Sequence, residues 1–110
     1  MAPASKPRGK PVKPSGRTDV ITDEKMKKYF SVTARALEMV KSSPKDDARM
    51  REALDFLDMA ERYFSDARHF YDSGNLVLAF AAVNYAHAWL DAGARLKLFM
   101  VNDDQLFAAD

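Results

Sequence analysis

Cysteine is absent from this 110-residue chain, which excludes disulfides and thiolate metal sites and fits a reducing, cytoplasmic setting. Histidine is scarce. His69 and His87 are the only two, and neither sits in the Glu-x-x-His or His-Glu-x-x-His spacing that gathers metal ligands on one helix. No metal and no cofactor is expected. Of the four glycines, Gly9 and Gly16 lie among prolines rather than between a strand and a helix, so no phosphate-cradling loop is present. A nucleophile-elbow motif is missing too, which leaves serine or cysteine hydrolase chemistry without support. No apolar stretch follows the N-terminal positive charges, so no secretory signal is read. The most apolar region, Leu76 to Met100, is interrupted by Asn84, His87, Asp91, Arg95 and Lys97. Ionised groups at bilayer depth cost about 2.5–3.5 kcal/mol each on insertion scales, so this reads as a buried helix of a soluble protein, not a membrane span.

Acidic residues are missing from positions 1–18, which hold Lys6, Arg8, Lys10, Lys13 and Arg17. The rest of the chain carries 12 basic and 16 acidic side chains, so a tail of +5 precedes a body of −4. Four of the five prolines (Pro3, Pro7, Pro11, Pro14) fall in the same stretch. With almost no apolar surface to offset the entropy of ordering, it is expected to be disordered, with polyproline II character. The domain division is therefore a disordered basic Lys/Pro-rich tail over residues 1–21 and a helical bundle with a short C-terminal segment over 22–110. Cations on an extended chain neutralise phosphates and release counterions, which makes RNA, DNA or a ribonucleoprotein the expected partner of the tail. A plain solubility role is the alternative.

The body has the 3-4 spacing of amphipathic helices. Thr22 is placed to cap a first helix, with Asp23 and Glu24 in its first turn and Met26, Phe30, Thr33, Leu37 and Val40 along one stripe. Ser42-Ser43-Pro44 should end it, with Ser43 capping a second helix and Pro44 at that helix's first position. The second stripe runs through Met50, Ala53, Leu57, Ala60, Phe64, Ala67 and Tyr71, and Gly74 is placed to terminate it. Asn75 then caps a third helix, expected from Leu76 to Phe99. Short connections between such helices predict an all-α, antiparallel up-down-up bundle of three helices. Since the third helix is apolar on most sides, something further must cover it. A fold-back of Leu106 and Phe107 and a second subunit, giving a homodimer through the third helix, are both expected to contribute.

Polar side chains that could form a site fall into two sets. Asn84, His87, Asp91 and Arg95 make the one polar stripe of the third helix, and the steps of four let Asp91 bridge imidazole and guanidinium. They are candidates for binding a small ligand or a partner. A network that fixes the rotation of a very apolar helix is the simpler reading. Arg62 and His69 share a face of the second helix seven positions apart. The aromatics mostly fall on the apolar stripes and read as core.

The run Asn84-Tyr85-Ala86-His87, Trp89-Leu90-Asp91, Gly93 and Arg95-Leu96, with Gly74-Asn75 before it and Ala53 to Ala67 upstream, is not a generic amphipathic pattern. Over residues 22–107 the chain resembles an archaeal family known only as domain of unknown function 357. That resemblance implies a three-helix bundle and cytoplasmic origin, and it brings no catalytic residues. A second likeness is to the helical bundles called HEPN, whose ribonuclease motif sets four to six residues between an Arg and a following His. Arg62 and His69 fit that spacing and would make a metal-independent ribonuclease, but Tyr63 stands where that motif carries a polar residue. The expectation is accordingly a non-enzymatic helical interaction module tethered to nucleic acid by its tail.

Overall fold

The computed structural model describes residues 18–107, so the expected tail disorder and its cations Lys6, Arg8, Lys10, Lys13 and Arg17 lie outside the described residues. Three α-helices make up the body: α1 (Asp23–Ser42), α2 (Met50–Asp72) and α3 (Leu76–Arg95), with one 3₁₀ turn at Asp47–Arg49 between the first two. No strand occurs among the described residues, and none of their helices is long and apolar enough to cross a membrane.

Local chemistry sets most of the boundaries. The Thr22 hydroxyl accepts from the Lys25 amide at 3.1 Å, and the Asn75 carboxamide oxygen accepts from the Leu78 amide at 3.1 Å, satisfying donors that each helix start leaves open. Gly74 takes φ +84° just past α2, where the amides of Gly74 and Asn75 bond back to the carbonyls of Tyr71 and Phe70. A glycine adopts that left-handed conformation without the steric cost of a Cβ.

Two boundaries differ from the sequence expectation. Pro44 does not open the second helix. Ser43 is extended ahead of the proline and closes α1, while Lys45 reaches back with its Nζ to the carbonyls of Val40, Lys41 and Ser43 at 2.7–3.0 Å. A cation there satisfies open acceptors at the negative end of the helix dipole. Nor does α3 continue to Phe99. It ends at Arg95, and Lys97 turns the chain with φ +60° while the Leu98 amide bonds the Gly93 carbonyl at 2.8 Å. Both departures have one cause. Lys45 and Phe99 form an antiparallel bridge, flanked by Asp46 N–H to Leu98 carbonyl and Met100 N–H to Pro44 carbonyl, each 3.0 Å. Two short extended pieces must leave their helices to make that pairing. Arg49 ties the same corner, donating to Asp46 at 2.7 Å and to the Leu96 carbonyl at 2.8 Å.

The stripes read from the sequence form the core. Leu37 and Val40 of α1 and Ala53, Leu57 and Ala60 of α2 are buried in one cluster with Leu90 of α3, and Met26 and Ala67 in a second with Val83. Met50 is the exception, exposed at the first position of α2. Edge-to-face rings join α2 to α3 in opposite sequence order, with Phe56 on Trp89 at 5.0 Å and Tyr63 on Tyr85 at 4.4 Å. Leu106 and Phe107 fold back and are buried beside Leu98 and Phe99, so the C-terminal segment covers part of α3. Val77, Leu78, Tyr85 and Leu96 stay exposed.

Candidate functional site

The polar stripe of α3 is divided by its surroundings. Asn84 is exposed and its amide nitrogen donates to the Phe80 carbonyl one turn back at 3.0 Å. His87 instead points inward. Its Nδ1 lies 2.9 Å from the Thr33 hydroxyl of α1, and its Nε2 lies 2.6 Å from the Leu106 carbonyl. A carbonyl oxygen can only accept, so Nε2 carries a proton, and in the neutral ring Nδ1 accepts from the Thr33 hydroxyl. The Asp91 carboxylate stands 3.5 Å from the same Nε2, which realises the His87–Asp91 pair expected from the spacing of four. Asp91 is half-buried, Arg95 is exposed, and neither is without a partner.

His87 therefore joins α1, α3 and the C-terminal segment through three polar contacts. Thr33, 3% exposed, is the neighbour of His87 that sequence reasoning placed only in an apolar stripe. A hydroxyl in a buried stripe must find a partner, and that requirement was the available signal. Tyr29, Val32, Thr33, Asn84, His87, Ala88 and Asp91 line a groove of about 230 Å³ between α1 and α3. The groove offers an amide, an imidazole edge and a carboxylate to a small polar group.

The second candidate set behaves differently. Arg62 Nε donates to Asp58 Oδ2 at 2.8 Å on the exposed side of α2, one turn towards the N-terminus and away from His69. His69 is exposed, with Phe70 beside its ring at 6.1 Å. A carboxylate on the guanidinium competes with any phosphate it would stabilise. Among the described residues no group of three His, Cys, Asp or Glu side chains could hold a metal ion.

Among the described residues, shifted titrations occur at three surface pairings of the helices and their connections. The Tyr71 hydroxyl donates to Asp23, and this bond, with Lys27 3.2 Å away, holds the Asp23 carboxyl below the usual carboxylate range. The same bond pushes the Tyr71 phenol up. Arg49, then the Ala48 amide, lower the Asp46 carboxyl in the same way. Glu61, with Glu38 adding to it, raises the Lys41 ammonium. All lie at the surface, partly or fully open to solvent, where such pairs contribute little to stability.

The family model described as protein of unknown function (DUF357) matches residues 28–99. That span takes in α2, α3, the His87–Asp91 pair and the turn beyond Gly93. No curated protein and no solved structure matches the chain.

Proposed function

The chain belongs to this DUF357 family of proteins of unknown function, and on that premise we propose that it is a non-enzymatic helical interaction module anchored to RNA or DNA by its basic N-terminal residues. The observation that carries this reading is the charge division: five cations and no acid in residues 1–18, ahead of a body with four more acids than bases. A body of that sign repels phosphates, so affinity must come from the tail. In support of the non-enzymatic reading, Arg62 is engaged by Asp58 and His87 is occupied in holding elements together.

Deleting residues 1–18 should remove most nucleic-acid affinity and leave the thermal midpoint nearly unchanged. On duplex DNA, about five phosphate contacts give a slope of log affinity against log salt near −4 to −5 for the full chain. Absent binding, or binding indifferent to salt, would refute the anchor. RNA incubated with the full chain should stay intact; cleavage that disappears in His69→Ala would restore the ribonuclease reading.

The exposed side of α3 favours a second element of the same reading, self-association. Val77 is 70% exposed and Tyr85 49%, and no charged residue occurs from Leu76 to Leu90. Small, exposed Ala81, between them, and Ala88, just beyond Tyr85, allow close approach of a second copy's helix. Sedimentation equilibrium should show a dimer that Tyr85→Lys converts to monomer. A full chain that stays monomeric at about 100 μM, a concentration that populates associations of some −5 to −6 kcal/mol, would exclude it.

A further inference from the structure

We propose that the groove where the basic N-terminal stretch joins α1 is a seat for an unpaired nucleobase, so that the chain prefers single-stranded to duplex nucleic acid; this rests on the anchoring reading above. The groove, about 320 Å³, is lined by residues 18–21 together with Lys25, Lys28, Tyr29 and Phe80. That volume is at the small end of ligand sites, of order 300–1,000 Å³, and suits one planar ring system.

Three features converge there. Tyr29 leaves 39% of its surface open, and Phe80 meets it edge-to-face at 5.0 Å with an interplanar angle of 89°. The contact with Phe80 holds the Tyr29 ring in place while part of it stays accessible to stacking. Lys28 is exposed on the groove wall, and Lys25 donates to the Val20 carbonyl at 3.0 Å, which fixes the chain entering α1. Asp19 is the acid on this wall, and it has a partner within the structure. Finally, residues 18–21 of the groove wall follow directly in sequence on the stretch that contains the five tail cations. A strand whose phosphates follow the tail is delivered to the Tyr29 ring. A duplex keeps its bases stacked inside and gains nothing from that ring.

Fluorescence anisotropy of the full chain tests this with three labelled probes of roughly 12 nucleotides: oligo-deoxythymidine, oligo-uridine and a DNA duplex. Tyr29→Ala should weaken binding of a single strand by roughly 5- to 150-fold, the usual loss on removing a stacking ring, and leave the duplex within about twofold. Tyr29→Phe keeps the ring and should bind like the parent. A single-strand effect with either sugar supports the seat, and the two sugar arms say whether RNA or DNA is the better ligand. Binding of the parent to all three probes with no change in Tyr29→Ala overturns the seat and leaves the tail anchor standing. No binding to any probe overturns both. Should Tyr29→Ala lose helicity, Lys28→Gln decides: its salt slope on the single strand should fall by about 0.7, and an unchanged slope overturns the proposal.

Discussion

Replacing Phe99 by Ala should lower stability by about 3–5 kcal/mol, read as a fall in the urea midpoint at constant slope. Phe99 is 1% exposed, held by its bridge to Lys45, and packed among Leu98, Leu106 and Phe107. Its ring also explains Gly93. A Cβ built on Gly93 would lie 2.1 Å from Phe99 Cε2, well inside any real contact. In an open helix Gly→Ala gains up to about 1 kcal/mol, but here overpacking of about 1–3 kcal/mol or more opposes it, because a ring enclosed on all sides cannot move away. Gly93→Ala should therefore destabilise the parent and stabilise the Phe99→Ala background, where the obstacle is gone. That reversal of sign is the coupling a double-mutant cycle measures. If Gly93→Ala costs the same in both backgrounds, the ring is not what demands a glycine.

Phe107→Ala should produce a loss of similar size, about 3–5 kcal/mol. The side chain is 3% exposed, and its ring lies 6.5 Å from that of His87 at a 31° tilt. Its neighbour Leu106 supplies the carbonyl that accepts from His87 Nε2. Loosening this end should therefore also move the His87 ring resonances in an NMR spectrum. For a domain of this size, whose whole stability is of order 5–15 kcal/mol, such a loss is a large fraction. A midpoint that does not shift, with His87 resonances in place, would mean the C-terminal segment is not seated on the bundle.

How far the chain could be read in advance depended on whether the deciding interaction was local. The stripes of Leu37 and Val40 on α1 and of Leu57 and Ala60 on α2 follow from a 3.6-residue period, and all four are buried. Thr22, Gly74 and Asn75 act through partners within five residues, so their capping roles were legible too. The spacing of His87 and Asp91 likewise carried their approach to one another. Leu106 and Phe107 could be named because a helix apolar on most sides demands cover.

What the chain alone left undetermined is set by contacts between distant residues. Pro44 is a sound first residue for a helix, yet it lies in an extended piece because residues 44–46 pair with 98–100. Lys97 has no glycine's licence for positive φ, so nothing nearby announced the end of α3. The burial of Leu98 and Phe99 and the bonds across to Pro44 and Asp46 favour the turn over another helical step. Thr33 looked like one more member of a stripe until α1 was set against α3 and its hydroxyl met His87. Sequence by itself thus determined the three helices, their buried sides, the caps at Thr22, Gly74 and Asn75, and the charge division, because each depends on residues within a turn or two or on composition. Where α2 begins, where α3 ends and which way His87 faces were settled by packing, because Lys45 meets Phe99 and Thr33 meets His87 from about 50 residues apart, a separation across which no local preference acts; Gly93 is a glycine because the turn after α3 folds the nearby Phe99 ring back onto it.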